Sequence, residues 1–135
     1  MKPSSSFGRL AVAMPFETSF HPSWRLIITR AWGRITCADV RAYQQELAAR
    51  PEFDPAWGHV FDAGGAVQVD LSSEEIRQLA ETSVLAPSAR RAMVATDLAI
   101  FGLFCLYRTL FERQVDGSAV GVFTTLREAI EWVTS

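Results

Sequence analysis

Two cysteines and two histidines are few for a chain of 135 residues. Cys37, Cys105, His21 and His59 show none of the paired spacings, C-x-x-C or H-x-x-x-H, that a bound metal needs. No metal site is expected. The two cysteines lie far apart, and the opening Met-Lys-Pro-Ser-Ser-Ser lacks the apolar core of a secretory signal, so free thiols and a cytoplasmic location are expected. Charge of either sign is scarce in excess: the net charge is −2 and the pI about 5.7. Without a basic field there is no long-range pull on nucleic acid, and any membrane contact would be peripheral. The longest apolar run, Leu98 to Tyr107, is interrupted only by Gly102 and is about half the length of a bilayer crossing. Gly64-Gly65 has neither the spacing nor the lysine of a phosphate-binding loop, so no nucleotide or other cofactor is expected. Internal repeats are absent.

What is present is an apolar chain, 49% hydrophobic and 21% charged, with a mean hydropathy of +0.11. Such a composition folds, and this length fits one domain. Residues 1–9, with three serines, read as a flexible N-terminal segment, leaving residues 10–135 as the domain. Leu10 to Phe16 and Trp24 to Ala31 are strand-like and are joined by a turn signal at His21-Pro22-Ser23. Thr36-Cys37-Ala38-Asp39 then opens a helix to about Ala49, with Val40, Tyr43 and Leu47 on one stripe. Trp57 to Asp62 reads as a strand ended by Gly64-Gly65. Ser72-Ser73-Glu74-Glu75 caps a second helix carrying Ile76, Leu79, Ala80 and Ser83, stopped by Pro87. Arg91 to Thr96 is a further strand. Asp97 caps a long third helix ending near Arg113 before the Asp116-Gly117 turn, and Ala119 to Phe123 is a last strand. Thr125-Leu126-Arg127-Glu128 opens a closing helix with Ile130 and Val133 inward and Trp132 beside them. The order β-β-α-β-α-β-α-β-α predicts an α/β fold: a mixed sheet of about five strands covered by four helices.

The third helix stands apart. At about 100° per residue, Leu106, Ala99, Leu110, Leu103, Tyr107, Ile100, Phe111 and Phe104 fill an arc of roughly 160°, while Phe101, Cys105 and Leu98 lie outside it. One sheet contact does not use so wide a face. Either the helix is wedged among neighbouring elements, or the surplus meets a second copy of the chain in a homodimer, an apolar ligand or a membrane surface. Only Arg108 and Arg113 add positive charge, which ranks the membrane last. If a pocket exists, Trp57, Phe101, Phe104, Tyr107 and Phe111 are its expected ligand-binding wall: aromatics supply contact area at low entropy cost, and Tyr107 adds a hydrogen bond.

Residues with reactive chemistry have ordinary explanations. Cys37, at a helix start that favours a thiolate, is the better nucleophile candidate, and Cys105 reads as a small core hydrophobe. His59, inside an apolar strand, reads as a hydrogen-bonded structural histidine. Arg90-Arg91 could hold an anion, but neighbours on a strand project to opposite sides and read as surface charge. Asp62 and Asp70 are acid/base candidates that nothing brings together. No catalytic residue is assigned, and the protein is read as a non-enzyme.

Asp62, Asp70 and the helix start Leu71-Ser72-Ser73 resemble the STAS domain of anti-sigma-factor antagonists, where Asp-Ser-Ser-Gly-Leu opens a helix after a strand ending in Asp. Ser72 falls on the phosphorylated serine of that family, which implies a regulatory phosphosite and a protein partner. Leu71, Ser73 and Glu74 depart from the pattern, and Glu74 and Glu75 repel an added phosphate. From about Phe7 onward the chain resembles the SpoIIAA-like proteins of the STAS and CRAL-TRIO-like superfamily. The likeness is carried by Arg30-Ala31-Trp32-Gly33-Arg34-Ile35-Thr36, Pro51-Glu52-Phe53-Asp54-Pro55, Val69-Asp70-Leu71-Ser72, Arg90-Arg91-Ala92-Met93-Val94-Ala95 and Phe123-Thr124-Thr125-Leu126-Arg127-Glu128-Ala129-Ile130-Glu131-Trp132. It implies a bacterial single-domain α/β fold that carries a lipid or another lipophilic molecule beneath mobile helices. The expectation is therefore a binding or carrier protein for an apolar small molecule. The alternative is an interaction module switched at Ser72.

Overall fold

Apolar residues that alternate along the strands, and helix stripes that match them, build one five-stranded sheet with helices on both faces. The structure is a computed structural model, and it describes residues 15–114 and 119–135. The elements are β1 (Phe16–His21), a 3₁₀ turn (Pro22–Trp24), β2 (Leu26–Thr36), α1 (Cys37–Ala48), β3 (Gly58–Asp70), α2 (Ser73–Glu81), β4 (Arg91–Val94), α3 (Leu98–Glu112), β5 (Val120–Phe123) and α4 (Leu126–Thr134). The strands lie in the order β1-β2-β3-β4-β5. β1 runs antiparallel to β2, and the other neighbours are parallel. This is the mixed sheet with four helices that the sequence predicts, in the predicted order.

Boundaries differ in three places. The first described strand is Phe16–His21, which runs on beyond the expected strand end at Phe16 and pairs from Phe16 opposite Ala31 to His21 opposite Leu26. Its half-buried residues Phe16, Thr18 and Phe20 alternate with exposed Glu17 and Ser19, the period-two pattern of an edge strand with one wet side. The second difference is at Gly64-Gly65, which does not end β3; the parallel ladder with β2 continues to Thr36 opposite Asp70. Gly65 serves packing instead, since a Cβ there would lie 2.6 Å from the indole of Trp32. Thirdly, β2 runs on to Thr36 through Gly33, whose φ of +65° sits at a register shift in the ladder. The N-terminal segment 1–9, residues 10–14 and the Asp116-Gly117 turn lie outside the described residues.

Four helix starts follow the predicted chemistry, the Thr125 hydroxyl accepting from the Glu128 amide at α4. The Thr36 hydroxyl accepts from the Asp39 amide while the Asp39 carboxylate accepts from the Thr36 amide, and Ser72 and Glu75 do the same at α2. Asp97 accepts from the amides of Ala99 and Ile100 at α3. One sheet face, with Leu26, Ile28, Val60, Ala92 and Val94, is covered by α4 through Ala129, Ile130, Trp132 and Val133. The other face meets α1 through Ile27 with Tyr43 and Leu47, α3 through Ala63 with Ile100 and Phe104, and α2 in the cluster of Ala80, Phe111, Ala119 and Val120.

Candidate functional site

On the face beneath α1, α2 and α3, the parallel ladders set Ile27 beside His59 and His59 beside Arg91, so three strands deliver two basic side chains into an otherwise apolar layer. The helices do not close over it completely. A cavity of about 110 Å³ remains, walled by Ile35 of β2, Val40 of α1, Leu79 of α2, Met93 of β4, and Leu103 and Phe104 of α3. That is comparable to a cavity able to take a single benzene-sized ring. Gln44, Tyr43, His59, Ser83, Arg91 and Tyr107 bring its polar groups.

Two polar clusters stand at this cavity. In the first, His59 Nε2 lies 3.0 Å from both the Thr29 hydroxyl and the Tyr43 hydroxyl, and Thr29 is hydrogen-bonded to Tyr43 as well. All three residues are buried. Burial, and secondarily the charge of Arg91, pushes the His59 imidazole down to about 3, so the ring is neutral. Burial likewise pushes the Tyr43 phenol up to about 12, against the lowering effect of its bonds to Thr29 and Thr18.

The second cluster surrounds Arg91, which is only 3% exposed. Its Nη2 donates to the Ala86 carbonyl at 2.6 Å, Nη1 to Ser83 Oγ at 3.1 Å and Nε to the Ala89 carbonyl at 3.3 Å. The guanidinium carbon lies 4.2 Å from the centre of the Phe111 ring, which itself stacks on Tyr107. Burial raises the Tyr107 phenol, with Arg91 acting in the opposite direction. No carboxylate among the described residues pairs with Arg91.

Arg91 overturns the reading of Arg90-Arg91 as surface charge. Strand alternation does send the two side chains apart, and Arg90 goes outward to Trp132 and Ser135. The inward side, however, is roofed by helices. Ser83 and Tyr43 were also not singled out as cavity residues. A usable signal was present for Arg91: in a parallel strand buried on both faces, an arginine in phase with Met93 faces protein on either side.

A crystal structure of an uncharacterized protein from the DUF3478 family of Shewanella loihica PV-4, with a SpoIIAA-like fold, superposes on 96% of this chain and 99% of its own, with a TM-score of 0.55 and 14% identity. The chain has a SpoIIAA-like fold. No protein-family model matches the sequence, and no curated protein matches it.

On this SpoIIAA-like frame, Phe104 and Tyr107 line the cavity. Phe111 does not line it but packs beneath Arg91 and stacks on Tyr107 at 6.0 Å. Phe101 packs on the Ala63, Ile100 and Phe104 cluster, and Trp57 on the Ile27, Tyr43 and Leu47 cluster. The inward arc of α3 is rotated from the helical-wheel estimate, with Phe101 against the core and Ala99 exposed. Ser72 is exposed and caps α2, its hydroxyl accepting from the Glu75 amide at 3.1 Å. Cys37 and Cys105 are free and half-buried. Asp62 and Asp70 both lie on β3, separated by eight residues of strand, roughly 26 Å. Asp62 accepts from the Gly64 amide, whereas Asp70 pairs with Arg34 and accepts from Gln68, and these bonds lower the Asp70 carboxyl. Among the described residues no helix is long and apolar enough to cross a membrane, and no group of three or more His, Cys, Asp or Glu could hold a metal.

Proposed function

We propose that this protein is a non-enzymatic binding protein that takes a small lipophilic molecule into the cavity beneath α1, α2 and α3. The observation that carries this reading is the cavity itself: about 110 Å³ walled by apolar side chains from the sheet and three helices. Buried side chains elsewhere in proteins pack to crystal-like density, and an apolar void forfeits dispersion contacts that a ligand of matching shape restores. α3 supplies Leu103, Phe104 and Tyr107 to the wall, so part of the apolar surplus expected of that helix faces the void rather than the sheet. Movement of the covering helices admits the ligand.

A switch at Ser72 competes with this reading. There the Glu75 carboxylate already accepts from the Ser72 amide at 2.9 Å, so it stands at the helix end that would receive a phosphate and opposes a second negative charge.

Native mass spectrometry of the purified protein separates the readings. A bound small molecule, released on activation and missing from a Leu103→Trp variant that still folds, supports cavity binding. A ligand-free protein carrying phosphate on Ser72 contradicts it. The same spectrum reads whether the chain is a homodimer.

A further inference from the structure

The charge on Arg91 has no partner of opposite sign among the described residues, although the side chain is 3% exposed and lines the cavity. Bonds to the Ala86 and Ala89 carbonyls satisfy N–H groups without neutralising the cation. An arginine, unlike a lysine, does not escape this situation by losing its proton. A buried cation with no counter-ion is destabilising, and an anion delivered to it relieves that. Two hydroxyls flank it. Ser83 Oγ accepts from Arg91 Nη1 and from the Leu85 amide, so its own hydrogen is left to donate, and the Tyr107 hydroxyl shares the cavity wall with Arg91. Both line the cavity, as does His59, which stands beside Arg91 and is neutral. The end of the cavity at Arg91 therefore offers one positive charge and two hydroxyls, and Leu79, Leu103 and Phe104 supply hydrocarbon wall.

We propose that the cavity receives a small monocarboxylate with a compact apolar body, its carboxylate seated on Arg91 between the hydroxyls of Ser83 and Tyr107 and its body against Leu79, Leu103 and Phe104. This rests on the cavity-binding reading above and names the ligand class. One cation beside a neutral imidazole matches a monoanion; a phosphate dianion would leave a net negative charge buried. A volume of about 110 Å³ suits a single ring or a short branched chain rather than a long acyl tail.

Calorimetric titration with benzoate and with its neutral analogue benzyl alcohol tests this. The wild type is expected to prefer benzoate by at least about tenfold, the value of a charge-assisted hydrogen bond in a desolvated site. Arg91→Met is expected to abolish that preference while still binding benzyl alcohol, which also reports that it is folded. Tyr107→Phe, which leaves the charge in place, is expected to weaken benzoate several-fold and leave benzyl alcohol unchanged, and it serves alone if Arg91→Met does not fold. Equal affinity for the two probes in the wild type, or an undiminished preference for benzoate in the variants, overturns the carboxylate assignment while leaving cavity binding intact. Failure of the wild type to bind either probe removes the cavity-binding reading itself, and this inference with it.

Discussion

Thr29, Tyr43 and His59 form a closed triangle of hydrogen bonds in the sheet-facing layer, and each member satisfies polar atoms that burial would otherwise leave bare. Removing one corner exposes the other two. Tyr43→Phe is expected to destabilise the protein by about 1 to 3 kcal/mol in chemical denaturation, because Thr29 and His59 each lose a buried hydrogen-bond partner. The acid response of His59 follows from its neutral state. The fold holds the imidazole at about 3 against 6.5 in an unfolded chain, so below pH 6.5 the unfolded chain takes up the proton first. The histidine's contribution is complete above pH 6.5 and is lost by about 1.4 kcal/mol per pH unit as pH falls toward 3, reaching about 2 kcal/mol at pH 5. Urea titrations at pH 7 and pH 5 measure this directly. The drop is expected to shrink by about that amount in His59→Gln, and an unchanged drop would contradict the assignment. The structural role of His59 was readable from its place in an apolar strand. The burial of Arg91 was signalled only indirectly, by its phase with Met93 on a parallel strand covered on both faces, because alternation alone separates two arginines without saying which side is roofed.

Helix caps carry most of what the chain announces locally. Thr36, Ser72, Asp97 and Thr125 all stand where the sequence puts a helix start, since a short side chain accepting an amide hydrogen needs only its own neighbours. Ser72→Ala is expected to lower stability by about 1 kcal/mol, the ordinary loss of a cap, and to leave binding of apolar probes unchanged. A much larger loss, or altered probe affinity, would assign Ser72 more than a cap. Strand limits depend on distant partners and were harder to read. β3 passes straight through Gly64-Gly65 because β2 supplies a ladder for it as far as Asp70, and Gly65 makes room for Trp32, which no local pattern reveals. The rotation of α3 has the same cause: Phe101 turns inward because Ala63 and Ala95, both small, leave room for it on the sheet.

At the scale of the molecule, α4 is the helix that packs on one face of the sheet among the described residues, while three helices share the other and leave the cavity between them. The mixed α/β architecture and its element order were legible from capping and periodicity, and the SpoIIAA-like fold from the motifs that resemble those proteins. The cavity was foreshadowed only as excess apolar surface on α3. The expected wall is Trp57 with four aromatics of α3, whereas the actual wall keeps Phe104 and Tyr107 of these and draws on the sheet and α1 through Ile35, Val40 and Met93. Leu98 remains 88% exposed at the start of α3, outside the cavity. The most direct test of the central claim is a methyl-resolved NMR titration of the folded protein with toluene. Saturable shifts confined to methyl groups of Ile35, Val40, Leu79 and Leu103, and absent in Leu103→Trp, are the predicted result. Shifts that fail to saturate, or that appear at exposed Leu98 and Val67 instead of the cavity wall, would contradict it.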